Sequence, residues 1–148
     1  MKRQTLLLTG TTGFIGYNFL LFALSNNFIV IDILRSKNKD NKKIKKLKNI
    51  HSNNYKNIFF DSRKSLSKKL KNINVDYFIN FATLYNNDHR HDQISDFIES
   101  NVTFPTLIYD IIHYRTKKII NFGSMMQHSK NRELISKNLY AATKMLLR

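Results

Sequence analysis

The chain has 148 residues, the length of one domain or of part of a larger one. It carries 25 Lys+Arg against 10 Asp+Glu, a formal net charge of +15, and 42% of it is hydrophobic, which provides for a packed core and argues against wholesale disorder. It has no cysteine, so disulfides, thiolate zinc sites and cysteine nucleophiles are excluded.

The first predicted element is a buried strand, Gln4–Leu8, closed by a turn signal. The basic Met1-Lys2-Arg3-Gln4 before it does not read as a signal peptide, because the apolar run stops at Thr9-Gly10. Gly13–Leu24 spaces Phe14, Ile15, Phe19, Leu20, Ala23 and Leu24 as a helix packed on a sheet. Phe28–Ile33 is β-branched and apolar and reads as a strand buried on both faces. Neither this stretch nor Leu6–Leu8 is long enough to cross a bilayer. These features predict a soluble, cytoplasmic protein with no membrane partner.

Ile44, Leu47 and Ile50 recur every third residue and predict a short basic helix. Asn57–Asp61 is a third strand, Ser65–Lys71 a second basic helix and Val75–Phe81 a fourth strand. Most of the lysines lie between Lys37 and Lys71, mixed with asparagine. That much charge holds nucleic acid non-specifically, but no helix-turn-helix, zinc-finger or RNP-like pattern accompanies it. The stretch is read as a solvated face with no specific nucleic-acid partner. Asn86–Asp92 is a polar loop. Ile94–Tyr114 is a long helical pattern that Pro105 bends or divides. Lys118–Phe122 is a fifth strand, His128–Asn131 a loop and Asn138–Leu147 a final helix. Strands alternating with helices predict an α/β fold whose parallel sheet is covered on both faces.

Three motifs carry chemistry. Thr9-Gly10-Thr11-Thr12-Gly13-Phe14-Ile15-Gly16 follows the first strand and opens the first helix, with three of the chain's four glycines spaced G-x-x-G-x-x-G. Such a turn permits a sharp reversal at Gly10 and brings backbone close to a pyrophosphate at Gly13. At Gly16 it lets helix and strand approach. The helix N-terminus then offers free N–H groups to the phosphates. Asp32 lies 16 residues past Gly16, near the spacing of an acidic group that accepts ribose hydroxyls, which favours NAD. Arg35 follows three residues later and is suited instead to the 2′-phosphate of NADP. The third motif is Tyr140-Ala141-Ala142-Thr143-Lys144, which sets a phenol and an ammonium on one helical face. A cation near a phenol makes it a usable proton donor or acceptor near neutral pH. Ser124 follows the fifth strand, where parallel sheets place their ligands. His89-Arg90-His91-Asp92 has too few ligands at definite spacing to argue for a metal.

With these residues the chain resembles the N-terminal part of an extended short-chain dehydrogenase/reductase of the NAD-dependent epimerase/dehydratase family, which modifies nucleotide sugars. Gly13-Phe14-Ile15-Gly16 is typical of that family. Asp61, beside Ser62, resembles its adenine-contacting Asp. Phe81-Ala82-Thr83 resembles its cofactor-lining segment after the fourth strand, and Asn101-Val102 its helical N-V motif. Gly123–His128 and Asn138–Lys144 are similar to 4-keto-sugar reductases of the CDP-abequose/paratose synthase type.

The resemblance implies a Rossmann-type doubly wound sheet. It further implies a cofactor held by Gly10, Thr12, Gly13, Phe14, Ile15, Gly16, Asp32, Arg35, Asp61, Ser62, Phe81, Ala82, Thr83, Asn101, Tyr140 and Lys144. Ser124, Tyr140 and Lys144 become the catalytic set, NAD or NADP the cofactor, a nucleotide sugar the substrate, and a homodimer the assembly. Members of the family run well past the position of Lys144. Residues 1–148 are therefore expected to be an incomplete NAD(P)-binding domain, truncated before the substrate domain. The alternative is a catalytically inactive remnant that at most binds NAD(P), with an open sheet edge.

Overall fold

Five strands make one parallel sheet: β1 (Thr5–Thr9), β2 (Ile29–Arg35), β3 (Tyr55–Phe60), β4 (Val75–Asn80) and β5 (Thr116–Asn121), in the order β3-β2-β1-β4-β5. The computed structural model describes residues 2–86, 88–131 and 133–147. Met1, the loop residue Asn87, Arg132 and Arg148 lie outside the described residues.

Successive side chains of a strand face opposite sides of the sheet, and this divides the core in two. Leu6 and Leu8 of β1 with Val30 and Leu34 of β2 pack under α1 (Phe14–Ser25) and α2 (Lys42–Ile50), through Leu20, Ala23, Leu24, Ile44 and Leu47. Leu7 of β1, Ile33 of β2 and Phe78 of β4 pack against α3 (Arg63–Leu70) and α5 (Phe104–Ile112), through Leu66, Leu70, Ile108 and Ile112. Burying each such leucine or isoleucine contributes about 1.5–3 kcal/mol. Three of the helices, α2, α3 and the last, begin at side-chain caps. The Asn41 side chain accepts N–H bonds from Lys43 and Ile44, Ser62 accepts from Ser65, and Asn138 accepts from Ala141 at the start of α6 (Leu139–Met145).

Three boundaries differ from the sequence reading in ways that matter. β2 does not end at Ile33. It pairs with β3 through Leu34↔Phe59 and Arg35↔Phe60, so Asp32 lies within the strand and Arg35 at its carboxyl end. β3 begins at Tyr55 rather than Asn57, because Tyr55 pairs with Val30. Pro105 does not interrupt the helical backbone. α4 (Ile94–Ile98), a π turn over Glu99–Thr103 and α5 run on with helical backbone throughout. Proline lacks an N–H and its ring crowds the carbonyl four residues back. Here that is Asn101, and the widened π turn falls at this point.

Candidate functional site

The order of the strands reverses between β1 and β4, since β1 leads outward to β2 and β4 outward to β5. In open parallel sheets a crevice for ligands forms at that switch point, beyond the carboxyl ends of the strands. The turn after β1 occupies one wall of the crevice here. Gly10 has φ +71, and a Cβ there would stand 2.4 Å from the Ala82 backbone nitrogen. Only glycine fits this conformation and this approach to the segment after β4. A Cβ at Gly16 would stand 2.4 Å from the Gly10 carbonyl oxygen. Gly16 therefore lets α1 begin directly against the turn, rather than against the strand as expected from sequence. Gly13 is the N-cap of the 12-residue α1, and no side chain caps that helix. The first N–H groups of a helix have no intrahelical acceptor, and here none is met by a side chain.

A cleft of about 1070 Å³ lies in front of these groups, lined by Gly10, Thr12, Gly13, Phe14, Ile15 and Gly16 on one side. Ile33, Leu34, Arg35, Lys37, Asn38 and Phe60 line one end, and Phe81 to Tyr85 the other. Phe14 is 86% exposed and Ile15 67%, so the helix start presents its apolar side chains and not its core face to this space. A glycine-lined, uncapped helix start facing an elongated cleft fits a dinucleotide diphosphate.

The residues expected to hold the cofactor separate into two groups. Gly10, Thr12, Gly13, Phe14, Ile15, Gly16, Arg35, Phe81, Ala82 and Thr83 line the cleft. Asp32, Asp61, Ser62, Asn101, Tyr140 and Lys144 are not among its lining residues. Asp32 is fully buried on the α1/α2 side of the sheet and accepts hydrogen bonds from the Thr11 and Tyr55 hydroxyls. Burial pushes its carboxyl up to about 6, against the lowering effect of those two bonds. It stands mid-strand, behind the cleft and not on its lining. Asp61 and Ser62 lie exposed in the turn into α3, and Ser62 is occupied as that helix's cap. Asn101 is 1% exposed. Its amide donates to the Leu84 carbonyl and the Thr143 hydroxyl, and its oxygen accepts from the Leu84 N–H and the Thr83 hydroxyl. All of its hydrogen-bonding capacity is used in tying the cleft wall after β4 to α6.

A second cavity, about 450 Å³, opens beyond β5 and is lined by Ser124, His128, Lys144, Asn121 and Gln127, among others. Ser124 and Lys144 are thus brought together. Lys144 is 4% exposed and makes no ion pair or hydrogen bond among the described residues. Burial pushes its ammonium below the usual lysine range. The Ser124 oxygen accepts the Met126 N–H at 3.2 Å, and this leaves its own proton to donate elsewhere. The Gln127 side chain holds the loop by accepting the Ser124 N–H. Tyr140, one helical turn before Lys144, meets Tyr85 edge to face with ring centres 4.9 Å apart. Tyr85 lines the first cleft, whereas Tyr140 lines neither cavity.

Four contributors were not legible as site residues: Thr11, Asn80, Asn121 and Gln127. Asn80 accepts from the Thr9 hydroxyl at 2.6 Å and donates to Asn121 at 2.9 Å. Asn121 in turn donates to the Leu147 carbonyl. This amide chain binds the carboxyl ends of β1, β4 and β5 to the residues just past α6. A signal for it existed, since β4 and β5 both end an apolar run on Asn, at Ile79-Asn80 and Ile120-Asn121. In the polar loop, Arg90 pairs with Asp92 and the His89 ring packs on Phe97. No group of three or more His, Asp or Glu that could hold a metal occurs among the described residues.

The sheet order, the glycine turn at the switch point and the cleft define a Rossmann-type α/β fold of the short-chain dehydrogenase kind. The chain belongs to the NAD dependent epimerase/dehydratase family, whose model matches residues 6–147. Among solved structures it is similar to a Burkholderia multivorans protein assigned as a short-chain dehydrogenase/reductase and solved with bound NADP. That likeness has 17% identity and a TM-score of 0.81, over 99% of this chain and 69% of the other. It is similar also to a short-chain dehydrogenase from Streptomyces avermitilis, with 16% identity and TM-score 0.79, over 99% of this chain and 57% of the other. A third is the bulky-bulky ketone specific alcohol dehydrogenase from Comamonas testosteroni, with 18% identity and TM-score 0.80, over 99% and 64%. No curated protein sequence matches the chain. No helix among the described residues is long and apolar enough to cross a membrane.

Proposed function

We propose that residues 1–148 are the NAD(P)-binding domain of a nucleotide-sugar oxidoreductase, in which Ser124, Tyr140 and Lys144 handle the proton. The observation that carries this reading is the uncapped start of α1 behind Gly10, Gly13 and Gly16, facing a cleft that runs toward Tyr85 and Tyr140. Gly13, Phe14 and Ile15 would hold the diphosphate through their N–H groups. Arg35, with Lys37 at the same end of the cleft, supports a dinucleotide bearing a 2′-phosphate. The burial of Asp32, the residue that argued for NAD, weighs on the same side. The bound dinucleotide would supply hydride exchange. Tyr140 gives or takes the proton of the sugar's hydroxyl or ketone. Lys144, on the same helical face one turn on, would hold the nicotinamide ribose. Ser124 donates to the reacting oxygen and orients it. The family resemblance and the Gly123–His128 segment together support a 4-keto sugar carried on a nucleotide as substrate.

Titration of the purified chain with NADPH and NADH in a calorimeter tests the first half of this proposal. Saturable 1:1 binding, tighter for NADPH, is expected. Absence of binding for both refutes it. Turnover of a nucleotide-linked 4-keto sugar by the chain, together with whatever polypeptide completes the substrate side, tests the second half.

A further inference from the structure

Asp32 takes no part in the proton or phosphate chemistry above, yet it is a fully buried carboxyl one residue deep behind the phosphate-binding turn. Its Oδ2 accepts two bonds of 2.7 Å, one from the Thr11 hydroxyl and one from the Tyr55 hydroxyl. Its Oδ1 is buried and has no hydrogen-bond partner among the described residues. An ionised carboxylate in such surroundings is costly unless its bonds are needed. A neutral side chain would have satisfied Thr11 at less expense.

Thr11 is what connects the carboxyl to the cleft. It lies between Gly10, whose φ is +71, and Thr12, which lines the cleft. Its own side chain points away from the cleft and is fully buried. The turn is thus closed across itself by the Gly13 N–H donating to the Gly10 carbonyl at 3.0 Å and anchored from behind through the Thr11 hydroxyl.

We propose that Asp32 is a positioning residue for the dinucleotide, holding Thr11 down with Tyr55 as a brace so that the turn keeps its N–H groups aimed into the cleft. This inference rests on the cleft's binding a dinucleotide. A bond to a charged acceptor is stronger than one to a neutral acceptor, so loss of the charge slackens the turn. The groups around Asp32 on every packed element are few. Thr11 comes from the turn, Tyr55 and its strand neighbour Asn57 from β3, and Leu8 from β1. Beyond Tyr55 lies Tyr17 of α1, whose ring carries the Lys43 ammonium of α2 at 5.2 Å. Among the described residues, no other carboxylate or histidine acts on Asp32 or Tyr55.

The test is dinucleotide affinity of the whole chain, measured by calorimetry for wild type, Thr11→Val and Thr11→Ser, with thermal unfolding of each recorded alongside. Thr11→Val keeps the shape and removes the hydroxyl, and a loss of affinity on the order of ten-fold is expected. Thr11→Ser restores the bond and should return affinity to near wild type. A second measurement needs no variant. Affinity of wild type for NADH, which has no 2′-phosphate to titrate, should fall as pH drops from 7.5 through about 6. Tyr55→Phe removes one of the bonds favouring the carboxylate and should move that fall to higher pH. Unchanged affinity in Thr11→Val, failure of Thr11→Ser to restore it, or NADH affinity that is flat or rises toward low pH would each overturn the proposal. No binding by wild type at any pH refutes the cleft assignment itself and this inference with it, whereas binding that ignores Thr11 and pH refutes this inference alone.

Discussion

Replacing Asp32 by asparagine changes the charge of one buried group and almost none of its shape, and it isolates what burial of that charge costs the fold. The carboxyl's ordinary value of 3.8 is raised to about 6 in the folded chain. Between about pH 4 and pH 6 the folded chain therefore holds a proton that the unfolded chain has released. Stability falls as pH rises through this window and levels off above it. At about 1.4 kcal/mol per pH unit, the rise from 3.8 to about 6 amounts to about 3 kcal/mol. The Asp32→Asn side chain bears no charge at any pH and escapes this loss. Its amide nitrogen meets the same lack of a partner as the protonated Asp32 does at Oδ1, so that term cancels in the comparison. Urea denaturation of both proteins at pH 4, 5, 6 and 7.5 reads the effect, because every other carboxylate is common to the two. The stability of Asp32→Asn relative to wild type should improve by about 2 kcal/mol from pH 4 to pH 7.5, since part of the full effect is already expressed at pH 4, a sizeable share of the 5–15 kcal/mol typical of a domain. A difference that does not vary with pH would show that Asp32 is not a desolvated carboxylate in the native state.

Four further outcomes are expected. Gly10→Ala places a Cβ 2.4 Å from the Ala82 nitrogen at φ +71; chemical denaturation should show a loss of about 1–3 kcal/mol, and dinucleotide titration a weakened Kd. Asn101→Ala leaves Leu84, Thr83 and Thr143 without their partner, which should cost about 1–3 kcal/mol and increase hydrogen exchange at the Leu84 amide. Arg35→Ala should weaken NADPH by roughly ten-fold or more, the worth of a bond to a charged group, while NADH affinity measured by the same calorimetry stays put. Tyr140→Phe should lower the turnover rate by on the order of 10²–10⁴ with dinucleotide affinity unchanged, as stopped-flow measurement of hydride transfer would register.

How far the sequence could be read depended on how local the determining interaction was. The glycine turn was legible because its constraint is steric and lies within a few residues: Gly16 answers to Gly10 itself. The alternation of strand and helix was legible because periods of two and of about 3.6 are written into neighbouring residues. Asp32 was misplaced because the end of β2 is set by a partner strand. Pairing of Leu34 with Phe59 and Arg35 with Phe60 prolongs β2 past the point where its apolar run weakens, and that shift puts Arg35 rather than Asp32 at the strand's carboxyl end. Asn101 misled in the opposite way. Its motif was visible, but whether its amide meets a ligand or Leu84 and Thr143 depends on segments 17 and 42 residues away.

The sequence by itself determined the class of fold and the glycine turn that marks the family, because each is specified by short-range sterics and hydrophobic period. Tertiary structure alone decided which polar groups face the cleft and which are buried behind it. A strand residue's exposure is settled by what packs on either side of the sheet, and a buried carboxyl, amide or ammonium acquires its chemistry from neighbours that the chain brings in from elsewhere.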